Sequence, residues 1–212
     1  TFSWNSKKDF PATLDIKFKK SDEVIPFLEH CKSAKFIVEN VEKKPWKRTP
    51  SAPFTTSTLQ QEASRKLWFS VSRTMQLAQK LYESWKITYM RTDSVNLSQD
   101  AINAAKQEII KDYWEKYSKP TAYKTKSAWA QEAHECIRTA HLEIRSAWDD
   151  PSQKKLYDLI WKRTIASQMA PASIEKTIVT IDISWAKSKF VVEWEVITFD
   201  GFLKVYSEWT DD

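Results

Sequence analysis

Glycine is almost absent from this sequence. A single glycine, Gly201, stands among 212 residues, whereas average usage near 7% would give about fifteen. Turns that need a left-handed backbone must therefore use residues with a Cβ, at a cost on the order of 1 to 2 kcal/mol each. Tryptophan is in excess instead, with eleven residues.

Cysteine and long apolar runs are also scarce. Cys31 and Cys136 lie far apart and lack metal-ligand neighbours, so we expect two reduced thiols, no disulfide framework and no metal site. No apolar run approaches the roughly 18 to 20 residues that cross a bilayer, and the first residues lack the pattern of a signal peptide. We therefore expect a cytoplasmic protein without a membrane partner.

The composition is otherwise that of a folded protein, but its charge is unevenly placed. Hydrophobic residues make up 42% and charged residues 29% of the chain, which argues against disorder and against a fibrous protein. Residues 43–92 hold ten Lys or Arg against two Glu, a charge of +8, and the remainder carries −3 of the net +5. Such a segment attracts phosphate backbones, although a solvated basic face without a ligand is the alternative.

The ends of the chain have the pattern of β structure. Residues 12–18 and 35–43 read as strands around a short helix from Ser21 to about residue 32, and three prolines in residues 44–53 mark a boundary. Strands are predicted again over 177–184, 189–199 and 202–206, with a turn at Asp200-Gly201.

The middle of the chain has helical periodicity. We predict helices over 57–67, with a capping box from Ser57 to Gln60, and over 72–83, which together suggest a helix-turn-helix unit. Residues 86–92 read as a short strand, the wing of that unit, with Ile87, Tyr89 and Arg91 on one face. Further helices are predicted from Ser98 to about residue 117, over 131–138, and from Asp150-Pro151 to about residue 169.

These elements predict an α+β protein of two domains. Residues 1–48 and 173–212 would form a β-rich, arch-like domain built from both ends of the chain. Residues 49–172 would be inserted into it as a mainly helical, winged-helix-like domain.

Several motifs occur together in one order. They are Pro53-Phe54-Thr55-Thr56-Ser57-Thr58-Leu59-Gln60-Gln61-Glu62-Ala63-Ser64, Ile87-Thr88-Tyr89-Met90-Arg91-Thr92-Asp93-Ser94, Ala133-His134-Glu135-Cys136-Ile137-Arg138 and Leu159-Ile160-Trp161-Lys162-Arg163. On these motifs the chain resembles the type IA DNA topoisomerases over nearly its whole length.

The resemblance implies that Tyr89 is the nucleophile that cleaves single-stranded DNA and holds it through a 5′-phosphotyrosine bond until resealing, without ATP. Phenols ordinarily have a pKa near 10, so a neighbouring cation is needed, and Arg91 has a guanidinium that can pair with two phosphate oxygens. His134 matches the histidine that the family places near the scissile phosphate. Arg138, one helical turn from His134 in the predicted helix, would contact the same backbone.

Weaker candidates for binding the DNA strand lie in the first two motifs, directly after the first, and in the stretch Arg73–Glu83, which resembles the same family. They are Thr58, Gln61, Arg65, Arg73, Gln79 and Asp93, the last of which would organise the loop or face another domain of the family.

The family's metal site lies in a Toprim domain with an Asp-x-Asp signature, and the sequence contains no such signature. We therefore expect a monomeric piece whose partners are single-stranded DNA and a Toprim-containing remainder that binds Mg²⁺. By itself it should bind DNA weakly and not relax supercoils.

The chain also departs from the family. Thr139-Ala140 follows Ile137-Arg138 where relatives have Pro-Thr, which loosens the backbone around Arg138. Five tryptophans stand where relatives commonly have glycine, namely Trp68, Trp85, Trp129, Trp194 and Trp209.

Two other functions remain open, and the residue order opposes a third. The chain could hold single-stranded DNA without cleaving it, with Tyr89 as a stacking platform, or it could be a helical interaction scaffold without nucleic acid. A tyrosine recombinase would need its Arg and His before a C-terminal Tyr, and here Tyr89 precedes His134 and Arg138.

Overall fold

The fold comes from a computed structural model that describes residues 2–3, 9–124, 134–145 and 150–207. Within these ranges lie five α-helices, six β-strands and two short 3₁₀ helices, which confirms the α+β prediction. The described residues fall into two compact units, one within Thr1–Lys47 and Ser173–Phe199 and the other within Arg48–Ala172 and Asp200–Asp212. None of the described helices is both long and apolar enough to cross a membrane.

The first unit contains two sheets. Strand β1 (Phe2–Ser3) pairs with β2 (Asp9–Phe10) in the smaller one. The larger sheet has the order β3 (Thr13–Leu14), β6 (Lys189–Phe199), β5 (Ala172–Ile183) and β4 (Phe36–Arg48), and β6 is antiparallel to both its neighbours. Helix α1 (Ser21–Cys31) follows β3, as predicted.

A strand runs into the first part of the predicted proline boundary, residues 44–53. Strand β4 continues past residue 43 through Pro45 to Arg48, whereas the strand predicted over 12–18 shrinks to Thr13–Leu14. Because β4 is at the edge of its sheet, a proline without an N–H is tolerated there. The prolines exclude a central strand and leave an edge strand possible.

The second unit is helical and centres on α5 (Pro151–Ser167). Ten residues of α5 are buried, and α2 (Thr56–Leu67), α3 (Val71–Glu83) and α4 (Gln99–Tyr113) all pack against it. A helix that is covered on most sides in this way forms the core of its domain. The core side chains include Leu59, Ala63, Leu77, Leu81, Ile109, Leu156, Ile160 and Ile165.

The helix starts follow from their capping residues. The capping box of α2 is two residues earlier than predicted, because the Thr58 N–H donates to Thr55 Oγ1 and the Thr55 N–H donates to Thr58 Oγ1 (2.9 Å). Ser98 caps α4, and Asp150 caps α5 ahead of a proline at its first position, both as predicted.

Two predicted elements between α3 and α5 are wrong. Residues 86–92 form a loop in which Ile87 makes a single bridge to Thr139. The helix predicted over 131–138 falls partly outside the described residues, and its described part, 134–138, is extended, with a bridge from Ile137 to Phe54. Both stretches form isolated bridges, Ile87 to Thr139 and Ile137 to Phe54, instead of joining a sheet or a helix.

Residues 200–207 belong to the helical unit, which corrects both the predicted domain limit at 173–212 and the strand predicted over 202–206. They form a 3₁₀ helix, Gly201–Lys204, with Phe202 fully buried. Gly201 has a φ of 51°, and a Cβ there would lie 2.5 Å from the carbonyl oxygen of Ala170. The one glycine of the chain therefore occupies a position that no other residue fits.

Three tryptophans occupy left-handed backbone positions that favour glycine. Trp68 ends α2 with a φ of 57°, Trp85 follows α3 with a φ of 59°, and Trp114 follows α4 with a φ of 77°. The first two were predicted to replace glycine, and Trp114 was missed. Trp194 lies within β6 and is not among the described positive-φ residues; Trp129 and Trp209 lie outside the described residues.

Candidate active site

Tyr89 lies in the loop that follows α3, with its side chain open to solvent. The residue is 48% exposed, whereas Ile87 is 3% and Met90 1% exposed. The ring of Tyr82 on α3 packs against the Tyr89 ring edge to face, with the centroids 5.2 Å apart. Because the loop is not a strand, the shared strand face predicted for Tyr89 and Arg91 does not exist. Instead, the buried side chains of Ile87 and Met90 anchor the loop, and the phenol of Tyr89 between them points to solvent.

Two threonines hold this loop on either side of Tyr89. Thr88 donates its hydroxyl to the carbonyl of Cys136 (2.6 Å) and its N–H to the carbonyl of Arg138 (2.9 Å). Thr56, in the first turn of α2, donates its hydroxyl to the carbonyl of Met90 (2.8 Å) and accepts from the N–H of Thr92 (2.9 Å). The backbone around the phenol is thus fixed by hydrogen bonds to α2 and to the segment that follows His134.

His134 is exposed at the start of that extended segment. The next residue, Glu135, accepts a hydrogen bond from the Ser98 N–H at the start of α4 (2.8 Å), and the Cys136 N–H donates to the carbonyl of Asn96 (2.9 Å). Burial raises the pKa of the Cys136 thiol to about 12. The segment is therefore tied to the Tyr89 loop on one side and to the start of α4 on the other.

Arg138 is turned toward the protein. Its guanidinium donates to Glu135 (2.8 Å) and to the carbonyl of Thr139 (3.2 Å), and only 16% of its side chain is exposed. Burial by itself would raise the pKa of Glu135, but the hydrogen bonds from Ser98 and Arg138 outweigh it, so that this pKa lies below its ordinary value. Residues 134–138 are not helical, so the prediction that His134 and Arg138 lie one helical turn apart is wrong. The contacts of Arg138 with Glu135 and Thr139 hold the backbone of this segment in place.

The structure brings three predicted DNA-binding or catalytic residues together in one groove along α3. Arg73, Gln79 and Arg91 line an open groove of about 530 Å³ together with Lys80. Arg91 and Arg73 are exposed, and Gln79 donates to Glu83 (2.7 Å). With cations from the helix and from the Tyr89 loop, this groove, the α3 groove, suits an anionic ligand.

The predicted residues of α2 are spread along the helix. Thr58 serves in the capping box, Gln61 is exposed, and Arg65 forms an ion pair with Glu62 near the other end. Asp93 is exposed in the loop after Arg91. The structure therefore groups Arg73, Gln79 and Arg91, and does not gather Thr58, Gln61 and Arg65 around them.

Sequence reasoning missed Thr56, Thr88 and Glu135 as residues that shape the site. Both threonines stand inside the quoted motifs, so their positions were a signal. Their role became visible only with the fold, since their hydrogen-bond partners lie 34 to 50 residues away in the chain.

Within the described ranges, no group of three His, Cys, Asp or Glu side chains is placed to hold a metal ion. What the chain offers is the phenol of Tyr89 and the cations of the α3 groove.

Fold and site together define a two-unit α+β protein that presents a hydrogen-bond-clamped, exposed tyrosine beside a basic groove. Residues 3–212 match the family model described as DNA topoisomerase. The chain belongs to this family and corresponds to part of a type IA, bacterial-type topoisomerase I.

Named relatives support the same assignment. A "DNA topoisomerase 1 type prokaryotic" of Acanthamoeba polyphaga mimivirus is 46% identical over 98% of this chain, and DNA topoisomerase 1 of Zymomonas mobilis is 48% identical over 85% of it. The structure of full-length topoisomerase I from Thermotoga maritima matches 94% of the chain with a TM-score of 0.80 and 35% identity. The chain spans only 27%, 15% and 34% of these three proteins, respectively.

Proposed function

We propose that this chain is the DNA-cleaving module of a type IA topoisomerase and that Tyr89 is its nucleophile. The Tyr89 oxygen attacks a backbone phosphorus of single-stranded DNA, the bond from phosphorus to the 3′ oxygen breaks, and the 3′ hydroxyl leaves with a proton. A 5′-phosphotyrosine bond results, and attack by the same hydroxyl reverses the step. Passage of another strand between the two steps would relax negative supercoils.

One observation carries this proposal, namely the exposed phenol of Tyr89 on a backbone that Thr56 and Thr88 clamp on both sides. A fixed nucleophile avoids the entropic cost of ordering it at the moment of reaction. The exposed Arg91, two residues further on, supplies a cation that can pair with the phosphate oxygens as negative charge develops on them. His134 would hydrogen-bond the same phosphate.

The Mg²⁺ and Toprim residues expected for the family are proposed to belong to another part of the enzyme, with which this chain acts as one half of a cleavage site. A DNA substrate also agrees with the expected cytoplasmic location.

A binding-only function is the second candidate, because Tyr82 and Tyr89 form a partly exposed aromatic pair, 37% and 48% exposed. Such a pair can stack on DNA bases without chemistry. If binding is the only function, the Tyr89→Phe variant should still bind single-stranded DNA with the affinity of the wild-type chain.

A suicide oligonucleotide separates the two functions. A single strand labelled at its 3′ end, with sulfur in place of the 3′ bridging oxygen, would be incubated with this chain, a Toprim-containing half and Mg²⁺. The thiol that leaves reseals poorly, so a labelled protein band should accumulate with wild-type chain and with Tyr82→Phe, and should be absent with Tyr89→Phe. If none of the three chains gave a labelled band, the binding-only function would be supported.

A further inference from the structure

A second basic groove lies at the C-terminal end of α2 and shares no lining residue with the α3 groove. It is open, has a volume of about 470 Å³, and is formed by the end of α2, one face of α5 and residues 205–207. We call it the α2–α5 groove. Its lining includes Arg65, Lys66, Trp68, Lys155, Asp158 and Lys162.

Cations outnumber carboxylates in this groove. Lys162 pairs with Asp158 (2.8 Å) and Arg65 with Glu62, while Lys66 donates to the carbonyl of Ser207 and lies 5.1 Å from the centre of the Tyr206 ring. Lys155 is exposed and forms no ion pair with any residue in the described part of the chain. Four cations against two carboxylates leave a positive surface that attracts phosphate.

An aromatic side chain borders the same groove. Trp68 is 89% exposed, because its left-handed backbone at the end of α2 directs it away from the helical core. A positively charged groove beside an exposed ring is the combination by which proteins hold single-stranded nucleic acid, since the cations follow the phosphates and the ring stacks on a base.

Helix α2 connects this groove to the candidate active site. Thr56, at the start of α2, is hydrogen-bonded to the Tyr89 loop, and Arg65 and Lys66 at its other end line the groove. Twelve helical residues rise about 18 Å. The groove is therefore set apart from Tyr89 along a rigid element, and a strand that reached both would cover several nucleotides.

We propose that the α2–α5 groove is a separate binding site for the backbone phosphates of single-stranded DNA. Its charge and its exposed ring carry this inference, and only its use during cleavage depends on the proposed function of Tyr89. The site takes a segment of the strand that is not being cut.

Binding of a fluorescent oligothymidylate, followed by anisotropy over a series of salt concentrations, tests the site. The measurement uses Tyr89→Phe chain throughout, so that no covalent complex forms. The double variant Lys155→Gln/Lys162→Gln should bind on the order of tenfold more weakly at 50 mM salt, and its salt slope should fall by about 1.4, since each phosphate contact contributes about 0.7. Asp158→Asn should bind more tightly.

Lys154→Gln is the matched control, because Lys154 is exposed next to Lys155 on α5 and does not line the groove. Unchanged binding by the double variant, or an equal loss with Lys154→Gln, would overturn the site. Duplex of equal length bound as tightly would overturn its preference for single strands. If Tyr89 formed no adduct while this charge-dependent binding persisted, the proposed function would fail and the groove would stand.

Discussion

Replacing Trp68 and Trp85 by glycine should stabilise the protein, although both changes remove a large aromatic side chain. Both residues have left-handed backbones, with φ near 57° and 59°, in which a Cβ lies too close to the following carbonyl. This costs about 1 to 2 kcal/mol per residue. Glycine removes that cost, and its greater freedom in the unfolded chain offsets about 0.5 to 1 kcal/mol of the gain.

The lost packing is small because both side chains are open to solvent. Trp68 is 89% and Trp85 82% exposed. A tryptophan that buries about 200 Å² in full covers only about 20 to 40 Å² at these positions, which is worth about 0.5 to 0.9 kcal/mol. At the upper end of the strain cost the net gain is about 0.5 kcal/mol per site, so the double variant should gain about 1 kcal/mol and melt about 2 to 4 °C higher.

Trp194→Gly is the control, since Trp194 lies in β6 and is 46% exposed. Roughly half of its surface is covered, so its removal should cost about 2 to 3 kcal/mol. Thermal and urea unfolding of the double variant and of Trp194→Gly would test the reasoning. A loss of stability in Trp68→Gly/Trp85→Gly would refute it.

Two further predictions concern the ties around Tyr89. Thr88→Val should lower the free energy of unfolding in urea by about 1 to 2 kcal/mol and slow adduct formation, because the carbonyl of Cys136 loses its donor; an unchanged cleavage rate would show that the clamp is unnecessary. Glu135→Gln should lower the free energy of unfolding at neutral pH, because the pKa of Glu135 is lower in the folded protein than in the unfolded chain, where it is near 4.5. The stability that this carboxylate contributes is complete above the unfolded pKa and is lost as the pH falls through the folded pKa. The two chains should therefore converge in urea unfolding toward pH 3, and a gap that is constant with pH would contradict this.

Local sequence signals were sufficient to predict the elements whose backbone hydrogen bonds are made within the element or by its own capping residue. The starts of α4 and α5 follow from Ser98 and from Asp150-Pro151, because a capping side chain acts on its own next turn. Residues 86–92 and 134–138 could not be assigned in this way. Each forms a single bridge to a residue far away in the chain, and neither the strand pattern of residues 86–92 nor the helical pattern of residues 134–138 predicts such a bridge.

The same limit applies to the candidate site. The motif identified Tyr89 and Arg91, and Arg91 lines the same groove as Arg73 and Gln79. This grouping agrees with the roles predicted for these three residues, which stay predictions. For Arg138 the sequence predicted only a DNA contact, although the three-residue spacing from Glu135 was a local signal for the ion pair that the structure has.

The most direct test of the central claim is to find which tyrosine carries the DNA. The adduct from the suicide oligonucleotide would be digested with nuclease and trypsin and sequenced by mass spectrometry. Cleavage after Lys86 and Arg91 releases a short peptide with Tyr89 as its one tyrosine, and this peptide should carry the nucleotide phosphate. The same phosphate on a peptide that contains Tyr82, with the Tyr89 peptide unmodified, would contradict the assignment.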